Sequence, residues 1–232
     1  MHRFFTAPED FPAVTGSDAH QIKDVLRMKP GEQIELLTGD GQVHEAKIIS
    51  LAKGRVACAV LSSRQDESEP KTRVTLAQAL PKARKMDLVV EKCVELGVHR
   101  IIPMLSERVI AKEGKPERWQ KIAKEAAEQS KRAIIPQVGE AMNFRDVLKL
   151  KGRFELALIP WEAEKQHSLK QALSGKTPGS ILLLIGPEGG FSATEVDLAR
   201  QAGFVSVSLG KRILRTETAG FAALAAINYE LG

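Results

Sequence analysis

Two loops of this sequence carry residue types that could hold a ligand and act on it. Residues 185–192 read IGPEGGFS, and they lie between an apolar run and a helix-starting capping box. Glycine lets a backbone approach a ligand closely or adopt a positive φ. Residues 209–218 read LGKRILRTET and bring cations, a carboxylate and hydroxyls together. Ligands of open α/β sheets bind beyond the carboxyl ends of strands, so we expect the two loops to face one another across a pocket. A tight turn without a ligand is the alternative.

Other common site motifs are missing from the sequence. No pair of Cys or His residues has zinc-ligand spacing, so we expect no metal. The P-loop pattern is absent, and Gly39-Asp40-Gly41 precedes a strand without a third glycine, which is typical of a hairpin turn. His44 and His99 are more typical of structural or surface groups than of ligands. The lack of a Rossmann fingerprint argues against a nucleotide-dependent oxidoreductase.

The loops belong to the second of two predicted domains. Residues 1–70 read as a small β-barrel or sandwich, because short apolar runs alternate with turn residues. The predicted strands there are 33–37, 43–49 and 56–61, and 18–28 is a helix. The polar segment 62–72 has no periodicity and is predicted to be a linker.

From residue 74 onward, predicted strands alternate with predicted helices, which indicates an α/β domain with a largely parallel sheet over residues 71–232. The last helix is apolar nearly all round, so one face can pack on the sheet while the other meets another layer or a second subunit. The predicted strands are 74–80, 100–105, 154–160, 180–186 and 204–209, and the predicted helices are 85–96, 116–132, 144–150, 168–173, 192–203 and 216–231.

Composition narrows the class of protein. The chain has 232 residues, 43% of them hydrophobic, which excludes a disordered tail protein, and two cysteines exclude a disulfide framework. No apolar run, such as 181–185, is long enough for a membrane span, and we expect MHRFFTAPEDF not to be a signal peptide. We therefore expect a soluble, cytoplasmic protein. Residues 71–132 carry a net charge of +7, which indicates either a phosphate-facing patch or a solvated helical face.

The two loops together resemble one family. IGPEGGFSATEV with LGKRILRTETA closely resembles the RsmE family of small-subunit rRNA methyltransferases, which belong to the SPOUT (trefoil-knot) superfamily. Further similar segments are MHRFF, DAHQIKDVLRMKPGE, EKCVELGVHRIIPMLSER and RWQKIAKEAAEQSKRAIIP, so the resemblance covers nearly the whole chain.

The resemblance implies an N-terminal PUA-like barrel that binds RNA and a C-terminal α/β-knot methyltransferase domain with a trefoil knot. It also implies S-adenosylmethionine as methyl donor, a homodimer, and methylation of N3 of a uridine (uridine 1498) in the 16S rRNA of the small ribosomal subunit. The alternatives are another SPOUT reaction, on a tRNA base or ribose, and a non-enzymatic RNA-binding module of the PUA type.

The resemblance also assigns residues to roles. Three loops are expected to bind the cofactor, through Leu158, Ile159, Pro160, Ile185, Gly186, Pro187, Glu188, Gly189, Gly190, Ser208, Leu209, Gly210, Ile213, Leu214, Arg215 and Thr218. RNA contacts are expected at Arg3, His20, Arg27, Lys82, Arg84, Arg108 and Arg132, each of which could instead be an ordinary surface cation.

Transfer of a methyl group to N3 requires removal of the N3 proton, so a base or an anion-stabilising cation is needed. We expect Arg215 to stabilise negative charge on a uracil carbonyl, and Glu217 to be the base or to orient that arginine. Glu188 is the alternative base. Glu217 would also be favourable at a helix N-terminus for purely structural reasons.

Overall fold

The computed structural model describes residues 1–110 and 114–232, which form two compact units. The first unit contains residues 1–69 and 127–135, and the second contains 70–126 and 136–232. The chain divides near residue 70, where the boundary was predicted. Residues 127–135 also belong to the first unit, which the sequence did not predict. No helix in the described ranges is long and apolar enough to cross a membrane.

The first unit is built on a five-stranded sheet whose order is β1-β3-β4-β5-β2. Strand β1 pairs in parallel with β3, and the other pairs are antiparallel. The predicted hairpin is confirmed, and its inward side chains, such as Ile34, Leu36 and Ile48, are buried. The strands are β1 (Arg3–Phe5), β2 (Ala13–Thr15), β3 (Gln33–Leu37), β4 (Gln42–Ala52) and β5 (Arg55–Gln65).

Two predictions for the first unit are wrong in detail. The start of the predicted linker is strand, because β5 continues to Gln65 and its Ser62 pairs with Glu45 of β4. The predicted helix 18–28 is instead α1 (Gly16–His20) followed by a π-helical turn at Gln21–Val25. The helical run cannot continue through Arg27, whose φ is +53°.

The second unit contains a seven-stranded sheet in which every pairing is parallel. The strand order is β12-β10-β11-β6-β7-β8, and β9 also pairs with β7. Its elements are β6 (Arg73–Ala79), α2 (Lys85–Glu95), β7 (Arg100–Leu105), α3 (Pro116–Gln129), β8 (Gln137–Val138), β9 (Met142–Asn143), α4 (Phe144–Lys149), β10 (Leu156–Pro160), α5 (Leu169–Leu173), β11 (Ser180–Ile185), α6 (Ala193–Gln201), β12 (Val205–Val207) and α7 (Thr216–Leu231).

The predicted alternation of strands and helices is confirmed in this unit. Strands β8 and β9 were not predicted, because two residues are too short to show a periodicity. Helix α3 ends at Gln129 rather than at residue 132, and Lys131 has a φ of +60° that is incompatible with a helix.

The register of the sheet brings three strand ends to one edge. Strand β10 pairs with β11 on one side and with β12 on the other, and Pro160 at its end lies opposite Val207. Strand β11 is apolar and buried from Ile181 to Ile185. The segments that follow β10, β11 and β12 therefore leave the sheet on the same side.

The final helix is less enclosed than its composition indicates. Gly220, Ala223, Leu224 and Ile227 form its buried side. A second side, which includes Ala225, Ala226 and Tyr229, is exposed, and the Tyr229 residue is 90% accessible. The helix thus has apolar side chains that no described residue of its own unit covers.

Candidate active site

A cavity of about 560 Å³ lies at the carboxyl edge of the sheet, within the size range of small-molecule sites. The segments after β10, β11 and β12 form its walls, together with the first residues of α2 and α7. It is lined by Lys85, Pro160, Trp161, Glu162, Ile185, Gly186, Pro187, Glu188, Gly189, Gly190, Phe191, Ser208, Leu209, Gly210, Lys211, Arg212, Ile213, Leu214, Arg215, Thr216 and Ala219.

The two loops identified in the sequence therefore face the same space. Thirteen of the sixteen residues expected to bind a cofactor are among the lining residues, whereas Leu158, Ile159 and Thr218 are not. Leu158 and Ile159 are fully buried within β10, where their side chains serve the core of the sheet. Thr218 lies in the first turn of α7, between the lining residues Thr216 and Ala219, but does not itself line the cavity.

The glycine loop is shaped by close contacts. Gly190 has a φ of +66°, and a Cβ at this position would lie 2.6 Å from Glu162 Oε1. The carbonyl of Gly189 accepts a hydrogen bond from Arg108 Nη1 at 2.6 Å, and that of Gly186 accepts one from Thr216 Oγ1. The last of these bonds fixes the loop to the start of α7.

Sequence reasoning missed several lining residues. Trp161 and Glu162 follow β10, and the Arg200 guanidinium lies 5.4 Å from the centre of the Trp161 ring, a cation–π distance. Lys85 begins α2, which follows β6, about 100 residues before the glycine loop. No local signal marks Lys85, because only the pairing of β6 with β11 brings it here.

Lys85 connects two carboxylates at the cavity. Its Nζ lies 3.2 Å from Glu217 Oε1, 3.3 Å from Glu217 Oε2 and 3.8 Å from Glu188 Oε1. Glu188 Oε1 also accepts a hydrogen bond from the Lys82 backbone N–H at 2.9 Å. The loop after β6 and the first residue of α2 thus hold both the glycine loop and the start of α7.

The environment of Glu217 favours its ionised form. Burial alone would raise the pKa of this carboxyl, whose side chain is only 10% exposed. The hydrogen bond with its own backbone N–H and the positive charges of Lys85 and Arg215 outweigh burial, so its pKa is lowered. A carboxylate with a lowered pKa is a weak proton acceptor, and in this structure Glu217 pairs with Lys85 rather than with Arg215.

Among the described residues, Arg215 is one of three exposed cations that line the cavity. It is the N-cap residue of α7, it is exposed, and it lines the cavity. Its guanidinium forms no hydrogen bond or ion pair with any residue in the described part of the chain. Lys211 and Arg212 of the same loop are also exposed lining residues.

The residues expected to contact RNA differ in their accessibility. On the first unit, His20 and Arg27 are exposed, and His20 Nδ1 lies 2.6 Å from Asp24 Oδ2. On the second unit, Lys82, Arg84 and Arg108 are exposed. These five side chains remain accessible to phosphates.

Arg3 and Arg132 are placed differently from this expectation. Arg132 is buried, and its Nε and Nη2 donate to Glu69 at 2.9 and 2.5 Å. Arg3 is half-buried, with Nε 2.7 Å from Glu35 and Nη1 3.2 Å from Asp66. Both guanidiniums are engaged by carboxylates of the first unit, so they are less available to phosphates than the five exposed side chains.

The loop after β10 is fixed by one carboxylate. Glu164 accepts hydrogen bonds from Ser206 Oγ, from the backbone N–H groups of Gln166 at 2.9 Å and His167 at 3.3 Å, and from Arg200 Nη2 at 3.0 Å. The Ser206 bond is the largest of the effects that lower the pKa of Glu164 to about 2. The ionised carboxylate therefore holds the segment that carries Trp161 and Glu162.

Comparisons with known proteins agree with this architecture. Residues 67–228 match the RNA methyltransferase domain family, and residues 14–61 match the RNA methyltransferase PUA domain family. The chain is 36% identical to the ribosomal RNA small subunit methyltransferase E of Bacillus subtilis over 94% of this chain and 90% of that protein. It is 38% identical to the protein of the same name from Synechocystis, over 98% and 77% of the two chains.

A solved structure shows the same likeness in three dimensions. The crystal structure of a ribosomal RNA small subunit methyltransferase E from Neisseria gonorrhoeae, bound to S-adenosyl methionine, superposes with a TM-score of 0.86. It is 35% identical in sequence, and the match covers 99% of this chain and 97% of that one.

We predict that Glu164→Gln lowers stability in a pH-dependent way. A carboxyl whose pKa is lowered on folding stabilises the native state above its unfolded pKa, and this contribution is lost as the pH falls through its folded pKa. The difference between wild type and Glu164→Gln should be full above pH 5 and shrink as the pH falls from about 4.5 towards 2.

Urea unfolding of both proteins at several pH values between 7 and 3 measures this difference. Glu140→Gln, which removes an exposed carboxyl from the same unit, controls for the loss of one charge. A constant difference across the pH range would contradict the role given to Glu164.

Proposed function

The chain belongs to the RsmE family of ribosomal RNA small subunit methyltransferases, which use S-adenosylmethionine, and we propose that it methylates N3 of uridine 1498 in 16S rRNA. The observation that carries the proposal is the cavity in which a glycine loop and an unpaired arginine meet. Such a substrate is made in the cytoplasm, which is where we expect the enzyme to act.

The cavity suits the cofactor. S-adenosylmethionine supplies a methyl group that is already activated by its sulfonium charge. Gly186, Gly189 and Gly190 present backbone rather than side chains to the cavity, and Leu209, Ile213 and Leu214 add apolar surface on the opposite loop. We propose that these two loops and the residues after β10 hold the cofactor.

The chain's own residues then have to stabilise negative charge on the uracil and accept the N3 proton. We propose that Arg215 stabilises negative charge on a uracil carbonyl as N3 loses its proton, a charge that is larger in the transition state than in the ground state. We propose Glu188 as the proton acceptor, because it lines the cavity and is less buried than Glu217. Glu217, whose carboxylate pairs with Lys85, is not the base in this proposal.

The substrate nucleotide must be presented unpaired. N3 lies on the Watson–Crick edge and is hidden in a duplex, so the base must be unpaired or flipped before it can enter the cavity. Lys82, Arg84 and Arg108 are exposed cations of the second unit, and Arg108 also contacts the glycine loop. We propose that they bind phosphates around the target nucleotide, while His20 and Arg27 bind RNA on the first unit.

We further propose that the protein is a homodimer whose interface includes α7. Ala225, Ala226 and Tyr229 are exposed on this helix and present apolar surface next to the exposed Glu230. A contiguous apolar face left in water promotes association, and a second copy of the chain offers the same small-residue surface for close helix packing.

Replacing Gly190 with Ala strains a loop at the cavity by about 1–3 kcal/mol, so the loop should relax away from its binding conformation and the affinity for the cofactor should fall roughly tenfold or more, since 1.4 kcal/mol is a factor of ten. The new Cβ would also meet the Glu162 carboxylate. Gly175→Ala is the matched control, because Gly175 has a φ of +68° but open space around it. Calorimetry with S-adenosylmethionine should show normal affinity for Gly175→Ala and weak affinity for Gly190→Ala. Equal affinities would refute the assignment.

Methylation of 16S rRNA, assayed on free rRNA and on assembled small subunits, tests the function. Mass mapping should place the new methyl group on N3 of uridine 1498 with the wild-type protein. Arg215→Ala should still bind RNA but react about 100-fold more slowly or worse in single turnover at saturating RNA and cofactor, as when an anion-stabilising donor is removed. A wild-type rate for Arg215→Ala would make this arginine a binding or structural residue. A modification on tRNA, or none, would refute the proposed function.

Light scattering should give a mass of twice the chain's 25.4 kDa at micromolar concentration. Ala225→Glu should shift the protein towards the monomer, because it buries an unpaired charge in the interface. Ala52→Glu, at an exposed alanine of the first unit, controls for the added charge. A wild-type monomer would exclude the dimer.

A further inference from the structure

Lys85 does more at the cavity than neutralise charge. Its ammonium is shared by both oxygens of Glu217, at 3.2 and 3.3 Å, and its side chain is 36% exposed where it borders the cavity. Glu217 is nearly buried, so its negative charge needs a permanent partner. Lys85 is the only cation in the described part of the chain that forms an ion pair with Glu217.

A second cation lies close to the same carboxylate. Arg215 precedes Glu217 by two residues at the start of α7, and its charge contributes to the field that favours ionised Glu217. Yet the Arg215 guanidinium is exposed at the cavity and makes no ion pair with any described residue. Lys85 and Arg215 are thus both attracted to the Glu217 carboxylate, and Lys85 is the one that forms the ion pair.

From this arrangement we propose that Lys85 is a positioning residue that keeps Arg215 available to the substrate by holding Glu217. Without Lys85, Glu217 attracts Arg215, and the arginine is withdrawn from the place where charge develops. The proposal rests on the proposed function, because it takes Arg215 to be the group that stabilises the uracil anion. It predicts that the loss of Lys85 is repaired by removing the charge of Glu217 as well.

The test combines single and double variants in single-turnover methylation of 16S rRNA. Lys85→Met should lower the rate by about 10-fold to 100-fold, approaching the loss expected for a missing anion-stabilising donor, while cofactor affinity stays within about threefold of wild type. Lys85→Met combined with Glu217→Gln should recover at least half of that loss on a logarithmic scale. Lys85→Arg, which keeps the charge, should react within about threefold of wild type.

Helix α2 offers a matched control. Lys92 also bridges two carboxylates, Glu91 and Glu95, both at 2.8 Å, but it lies on the exposed surface away from the cavity. Lys92→Met should methylate at the wild-type rate. Should Lys85→Met fail to fold, Lys85→Gln replaces it, because it retains a hydrogen-bond donor without the charge.

An NMR measurement made without substrate tests the role of Lys85 separately from the proposed methylation of rRNA. The NMR signal of the Arg215 Nε–H group, assigned by its loss in Arg215→Ala, should show slower solvent exchange in Lys85→Met, as an ion pair forms with Glu217. The slowing should vanish in the double variant. A wild-type rate for Lys85→Met, no recovery in the double variant, or an unchanged Arg215 signal would overturn the proposal. If the wild-type protein does not methylate rRNA, the proposed function fails while the NMR comparison still tests Lys85.

Discussion

Parallel pairing of β10 with both β11 and β12 is the constraint on which the candidate site depends. Parallel strands run in one direction, so the chain leaves all three at the same edge of the sheet and the three loops meet there. Strand β10 is the middle one of the three, and burial of its Ala157, Leu158 and Ile159 fixes this arrangement in the core. Hydrogen bonds then fix the loops in place, such as those of Thr216 to Gly186 and of Glu164 to Gln166. The cavity therefore takes its position from the core of the sheet.

The parts of the fold that the sequence predicts well are those with strong local signals. Helix α7 has the predicted bounds because its apolar content is high over sixteen residues, and α6 starts at the capping box of Ser192 and Glu195. Strands β1 and β2 escape prediction because three residues show no periodicity. Their pairing partners, β3 and β5, lie far along the chain, so only tertiary contacts define them. The knot implied by the family resemblance is likewise a matter of how segments pass one another, which no local pattern encodes.

Some residues of the candidate site can likewise be predicted from local sequence, and others cannot. Its two loops are recognisable because glycines, cations and hydroxyls are contiguous in sequence, whereas Lys85 becomes part of the site through the pairing of β6 with β11. Cations illustrate the difficulty further. Arg132 and Arg84 lie in the same basic segment and look alike in sequence. Arg132 is buried in an ion pair with Glu69, which lies 63 residues before it, whereas Arg84 is exposed. Sequence composition counts charges and cannot tell which are already paired.

Pairing is what decides which charges at the cavity are available for chemistry. Lys85 and Glu217 satisfy one another, and separating them would leave a nearly buried carboxylate without a partner, which is costly. The Arg215 guanidinium forms no ion pair with any residue in the described part of the chain, so its charge is available to a substrate. The same reasoning applies to the acids: Glu217 is held ionised by its surroundings, while Glu188 is more accessible and reaches Lys85 at 3.8 Å. A site that must both stabilise an anion and accept a proton needs an accessible cation and an accessible carboxylate, and this difference in exposure is why Arg215 and Glu188, rather than Lys85 and Glu217, are proposed for these roles.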